Sequence, residues 1–432
     1  MRTGCCGSRH NVLRDFPDPV FIRENFRSRA DPCRSVTSQI PWPSATSALA
    51  LGFGCVFLPA LLGVSAAFAA AQSIERGTIV DPVVCASDAS QTYALYLPST
   101  YSADRKWSLV LAFHPAARGR QMVETYRAAA ERYGYIVAAS NNSRNGPYAV
   151  SAAAARAMGN DVERRFAIDA RRVYLTGFSG GARFSTGIAL GSTDIAGVIA
   201  SSAGFPDSLP RDSAKFPIFG TAGTEDFNYI EMRLLDRKLS SPHYLAVFHG
   251  DHALPPVDVA LEAIEWMELQ AMRSGRRSRD EAVLRELLEK RRAKVAAVGE
   301  VVAAVHERTA LVADFTGLVD VSAEAATLDQ LSGRSDVKKA LKHDRDADEA
   351  ETRMLREMFG FEAQLPDDNR RSEALMHLRE RLSRLSKAAT ADVETPERDQ
   401  ARRILFALTF GATQRTEDPH YLALLQQYRL RP

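Results

Sequence analysis

Between about residues 78 and 272, short apolar runs of strand length alternate with longer segments of helical period. The runs at 93–97, 108–113, 135–139, 173–176, 198–201, 217–219 and 244–248 predict buried strands, and the segments 121–133, 149–166, 180–190 and 229–239 predict helices between them. Alternation of this kind predicts an α/β arrangement with a largely parallel, doubly wound sheet. A last helix over 257–272 is marked most clearly. Asp258, Glu262, Glu265 and Glu268 recur at helical spacing and predict one solvated stripe, while Leu261, Ile264, Met267 and Ala271 predict the face turned to the sheet.

The pattern changes at MRSGRRSRDE, where Gly275 and a cluster of arginines interrupt the period. Ser278 and Glu281 form an S-x-x-E capping box that predicts the start of a new helix. From there on, strand signals give way to helix formers, with breaks at Gly299, Gly317, Gly333, the Pro366-Asp367-Asp368 turn and Pro396, which Thr395 caps. This predicts an all-helical domain of antiparallel hairpins. Its helix lengths are compatible with a TPR-like array, although no internal repeat is clear enough to name. Its charged stripes read as solvated faces. The expected division is 1–46 as a disordered extension, 47–71 as a signal peptide or membrane anchor, 72–272 as an α/β catalytic domain and 273–432 as the helical domain.

The N-terminal expectation rests on the uncharged run from Ala48 to Gln72, which ends in the small residues that signal peptidase cleavage requires. The arginines before it suit an n-region, and Pro59 with the alanine-rich end favours cleavage over a stable anchor. Export to a periplasmic or extracellular space is therefore expected, with membrane anchoring if the run, long enough to span a bilayer, stays uncleaved. Composition is that of a globular protein: 432 residues, 45% hydrophobic and 25% charged. A net charge of +2 gives no general pull toward nucleic acid or anionic membranes. Of five cysteines, four precede residue 72 and none has metal-ligand spacing, so neither a disulfide framework nor a metal site is expected; no cofactor is expected either.

The candidate chemistry begins at YLTGFSGGARF, where Ser179 stands between Gly177 and Gly181 after a predicted strand and before a predicted helix. A serine on so tight a strand–turn–helix connection is lifted above the sheet edge, at a helix N-terminus that favours a developing anion. Glycines are needed on either side because side chains there would meet the neighbouring strand and helix. A serine hydroxyl then needs a base and an orienting acid, in the chain order Ser, Asp, His. GTAGTEDFNY offers Asp226, with Glu225 as its rival, and FHGDHALPP offers His252, with His249 as its rival. Asp251 and Asp258 read as loop and helix-face charges. Gly180, directly after Ser179, is the expected first oxyanion donor. The second is expected from the loop His114-Pro115-Ala116-Ala117-Arg118-Gly119, with Ala116 preferred because Pro115 has no N–H. His114 reads either as part of that hole or as a structural hydrogen-bonder, and the loop 140–148 as a substrate-contact loop or a polar turn.

On FHPAARG, GFSGGARFS, GTAGTEDFNY and FHGDHALPP, the stretch from about 78 to 272 resembles the α/β-hydrolase superfamily, and within it the polyhydroxybutyrate depolymerase, feruloyl esterase and dienelactone hydrolase-like group. The resemblance implies an eight-stranded type of sheet, a Ser179–Asp226–His252 triad and ester hydrolysis through an acyl-enzyme. Three features depart from the pattern: Pro and Ala replace the glycines of an HGGG-type loop, no lid fits between the strands near 202 and 217, and the helical domain lies outside the core family. The missing lid implies an open cleft for small, polymeric or surface-bound esters. The leading expectation is an exported serine esterase. The alternatives are an acyltransferase or peptidase using the same triad, and a vestigial hydrolase that binds a protein partner through its helical domain.

Overall fold

The computed structural model describes residues 74–428, apart from 208 and 210. From Glu75 onward these belong to one compact unit. Its centre is an eight-stranded sheet in the order β1 (Ile79–Cys85), β2 (Asp88–Tyr96), β4 (Tyr135–Ser140), β3 (Trp107–Phe113), β5 (Ile168–Phe178), β6 (Ile195–Ser201), β7 (Ile218–Gly223) and β8 (His243–Phe248). The two pairings of β2 are antiparallel and the remaining pairings are parallel. β3, β4, β6 and β7 are buried along their whole length, as strands covered on both faces must be. Strand β1 escaped the sequence pattern because Pro82 interrupts its apolar run; an edge strand tolerates a proline that a central strand would not.

Helices connect the parallel strands. α1 (Gly119–Tyr133) leads from β3 to β4, α2 (Tyr148–Arg165) from β4 to β5, α3 (Gly180–Leu190) from β5 to β6 and α4 (Tyr229–Lys238) from β7 to β8, and α5 (Val257–Arg273) follows β8. Right-handed crossovers put α2, α3 and α4 on the face opposite α1, because the strand order reverses between β3 and β5. One buried cluster packs α1 and α5 side by side on the same face of the sheet through Met122, Tyr126, Val137, Tyr174, Phe219, Ile264, Trp266 and Met267. The architecture is a doubly wound sheet with the strand order of the α/β-hydrolase fold. The connection 202–217 between β6 and β7 carries no helix among its described residues, in keeping with the absence of a lid at that point.

A helical region follows: α6 (Glu281–Ala297), α7 (Val301–Phe315), α8 (Ser322–Gly333), α9 (Ser335–Glu362), α10 (Asp368–Ala389), α11 (Pro396–Thr409), α12 (Ala412–Arg415) and α13 (Pro419–Tyr428). Thr395 caps α11, accepting the Arg398 N–H, with Pro396 in the first turn as expected. At α6 the expected Ser278–Glu281 capping box gives way to Asp280, whose carboxylate accepts the Ala282 and Val283 amides. Met358, Leu378, Leu382, Ile404, Leu405 and Tyr421 centre one helical core. A second joins Leu269 and Met272 of α5 to Leu284, Leu288, Leu311 and Phe315.

That second core corrects the expectation for α5. Glu262 is half-buried, and Glu265 and Glu268 are buried rather than solvated, because α6 and α7 form a further layer over this helix face. Glu268 accepts from Arg172, Arg277 and Tyr135; Glu265 accepts from Lys290 and from Tyr133 at 2.8 Å; Glu262 accepts from Lys294 at 2.8 Å. Helical period identifies a polar face, but what covers that face depends on the rest of the fold.

One half-buried carboxyl lacks such a partner on one of its oxygens. Glu163 on α2 has a buried Oε1 without a hydrogen bond, and burial pushes its carboxyl up to about 7. Between the ordinary carboxylate range and that value the folded state holds the extra proton, so stability falls as pH rises through this window. Glu163→Gln is expected to raise the melting temperature by roughly 2 °C at pH 8 and to change it little at pH 4, a comparison readily made by calorimetry. The expected segments 1–46 and 47–71 lie outside the described residues. Among the described residues, no helix is long and apolar enough to cross a membrane.

Candidate active site

The three polar side chains singled out after strand ends meet above the C-terminal edge of the sheet. Ser179 follows β5 directly, Asp226 lies in the turn after β7, and His252 lies in the turn after β8. Ser179 holds the positive-φ backbone pair φ 53, ψ −122, which a non-glycine residue adopts only at a cost of about 1–3 kcal/mol. Its flanking glycines make that turn possible. A Cβ on Gly177 would sit 2.1 Å from the Gly181 carbonyl oxygen, and one on Gly181 would sit 2.1 Å from the Phe113 carbonyl oxygen on β3. The helix and strand therefore approach too closely for any side chain, as the sequence spacing implied.

Ser179 Oγ lies 2.9 Å from His252 Nε2, and His252 Nδ1 lies 2.8 Å from Asp226 Oδ1. A carboxylate only accepts, so Nδ1 carries the hydrogen and Nε2 is left to accept the serine O–H. Asp226 is fully buried, and its Oδ1 also accepts the Asn228 N–H at 2.8 Å. The imidazole is packed between Phe178 and Phe227, with ring centroids at 4.8 Å and 4.2 Å. The rivals point elsewhere. Glu225 accepts from Arg402 at 2.7 Å, and His249 is an exposed ring 3.5 Å from Glu394. Asp251 and Asp258 are exposed, and Asp258 accepts the Val259 N–H.

Around the serine, Gly180 opens helix α3, whose first amides have no intrahelical acceptor. The Ala116 N–H, expected as the second donor, is given to His114 Nδ1 at 3.0 Å in this structure. Burial, with Arg118 nearby, lowers the His114 imidazole to about 4, so the ring is neutral near pH 7 and can accept there. Ala116 also pairs with Arg144 in an isolated bridge, which ties the 114–119 loop to the 140–148 loop. In the latter, Ser140 and Asn142 form structural hydrogen bonds. Asn145 instead reaches the site: a Cβ on Gly180 would lie 1.9 Å from its side-chain oxygen. Sequence reasoning marked this loop but not this residue.

The aromatic surroundings had no sequence signal. Phe227 stacks on Phe406 of α11 at 5.1 Å and on Phe410, the residue that caps the end of that helix, at 5.0 Å. Arg403 on the same helix donates to the Thr224 carbonyl at 2.5 Å and pairs, buried, with Glu351 of α9. Helix α11 thus rests on the turn that carries Asp226. Among the described residues, no group of three or more His, Cys, Asp or Glu side chains is arranged to hold a metal ion. Cys85 is buried away from this site, and burial, reinforced by Asp161, pushes its thiol up to about 12.

No family model matches the chain, and no curated protein matches it in sequence. Solved structures match it in part. A thermostable esterase is 17% identical over 44% of this chain and 62% of its own, with a TM-score of 0.34. Est1E from Butyrivibrio proteoclasticus is 13% identical over 44% of this chain and 98% of its own, also at a TM-score of 0.34. The acylaminoacyl peptidase of Pyrococcus horikoshii is 11% identical over 41% of this chain and 39% of its own, at a TM-score of 0.31. The chain thus spans 62% of that esterase's length and 39% of that peptidase's.

Proposed function

We propose that the protein is a serine hydrolase that cleaves carboxylic esters through Ser179, His252 and Asp226. The observation that carries the reading is the continuous hydrogen-bonded chain from Ser179 Oγ to His252 and on to the buried Asp226, with the serine on a strained turn at a helix N-terminus. In this mechanism Ser179 Oγ attacks the acyl carbon while its proton passes to His252 Nε2. The carbonyl electron pair moves to oxygen, where the Gly180 N–H receives it. Ala116 adds a second donor once its N–H leaves His114 Nδ1. His252 then gives its proton to the leaving oxygen as the C–O bond breaks, leaving the acyl group on Ser179. Water attacks the acyl-enzyme, His252 takes its proton, and the acid departs as that proton returns to Oγ. Asp226 holds the imidazole tautomer and stabilises the imidazolium throughout.

The motifs FHPAARG, GFSGGARFS, GTAGTEDFNY and FHGDHALPP support placing the protein in the polyhydroxybutyrate depolymerase, feruloyl esterase and dienelactone hydrolase-like group. Export rests on the run from Ala48 to Gln72. A fluorophosphonate probe tests the central claim. It is expected to label the wild-type chain and not Ser179→Ala. Wild-type protein that stays unlabelled while folded would favour the non-catalytic, partner-binding alternative.

A further inference from the structure

Of the exposed large apolar side chains among the described residues, the two aromatic ones stand together on Phe227, the ring that packs on the imidazole of the site. Phe406 is 40% exposed and Phe410 53%. Their rings are nearly parallel to each other at 16°, and to Phe227 at 21° and 26°. Phe406 also lies 6.4 Å from the His252 ring, and Phe227 packs on that ring directly. Exposed aromatic surface concentrated at one place marks a binding surface more often than chance scatter does. Here it is continuous with the candidate site.

The placement also selects a side of the substrate. A leaving oxygen must come within hydrogen-bond reach of His252 Nε2 to take its proton. The group attached to that oxygen therefore passes His252, where Phe227, Phe406 and Phe410 lie, while the acyl group faces Ser179, Gly180 and Asn145. We propose that Phe406 and Phe410 form the subsite for the leaving alcohol and that the enzyme prefers esters of flat, apolar alcohols such as benzyl or naphthyl. The helical region then supplies substrate selection at the site. Its platform is held in position because Arg402 pairs with Glu225, Arg403 reaches Thr224, and the Arg403 guanidinium lies 4.4 Å over the Tyr229 ring.

This proposal rests on the serine hydrolase reading, and the test separates the two. The full chain and its Phe406→Ala, Phe410→Ala and Phe406→Tyr variants are compared on benzyl acetate and ethyl acetate. Protection of Ser179 from the fluorophosphonate by benzyl alcohol is measured alongside. Each alanine variant is expected to lower the benzyl-to-ethyl ratio of kcat/KM about tenfold and to weaken benzyl alcohol protection similarly, with probe labelling intact. Phe406→Tyr, which keeps the ring, should retain both. Unchanged ratio and protection in labelled alanine variants would overturn the subsite while leaving the hydrolase standing. So would a wild-type dimer that the alanine variants convert to monomer without altering selectivity, since the patch would then bind a second copy. A folded wild-type chain that does not label overturns both readings.

Discussion

His252→Ala is expected to lower kcat for ester hydrolysis by roughly 10⁴- to 10⁶-fold while the protein stays folded. Among the described residues, the imidazole is the group within hydrogen-bond distance of Ser179 Oγ that can take its proton, so without it the hydroxyl attacks unaided. Folding should persist because Asp226 keeps the Asn228 N–H on the oxygen that loses the imidazole. Asp226→Asn should cost about 10⁴-fold, since an amide at that place can offer N–H to Nδ1 and hold the ring in the wrong tautomer. His249→Ala should leave kcat/KM within about twofold, as a surface substitution does. Single-turnover kinetics with a chromogenic ester, alongside circular dichroism, checks all three. Near-normal turnover in a folded His252→Ala variant would remove the imidazole from the mechanism.

The second large effect lies away from the site. Glu268→Ala should destabilise the fold by about 3–5 kcal/mol, because it leaves two guanidinium groups, Arg172 and Arg277, without their shared carboxylate in a buried layer. The Glu268 side chain is 1% exposed and that of Arg172 16%, so water cannot readily replace the lost partner. Glu268→Gln keeps an acceptor for Tyr135 and the arginines but not the charge, and should fall between wild type and Glu268→Ala. Urea unfolding monitored by fluorescence gives both values. An Ala variant within 1 kcal/mol of wild type, a margin typical of exposed ion pairs, would mean the network contributes no more than surface charges do.

How much of this was legible beforehand depends on how local each feature is. The elbow around Ser179 is encoded within eleven residues, because a strand, a glycine turn and a helix start are short-range signals. The four helices between strands appeared near their expected positions, and Gly180–Leu190 appeared at the expected bounds. The choice of Asp226 over Glu225 was only a preference in the sequence, since adjacent carboxylates differ by the direction each takes from the turn. In the structure Asp226 turns inward to His252 and Glu225 outward to Arg402. For α5, period alone made Glu265 and Glu268 solvent-facing. The arginines and lysine that bury them come from β5, the 274–280 segment and α6, which no pattern within α5 could reveal.

The sequence by itself determined the doubly wound α/β framework, the helical region after it and the three strand-end residues, because strand burial, helix period and turn chemistry act over a few residues. Only the tertiary structure decided what surrounds them. Arg402 meets Glu225 across 177 residues, and α11 brings Phe406 beside His252 and Phe410, at its C-cap, onto Phe227, from another part of the chain. Contacts of that range depend on how whole layers pack, and a one-dimensional pattern carries no record of which face another layer will cover.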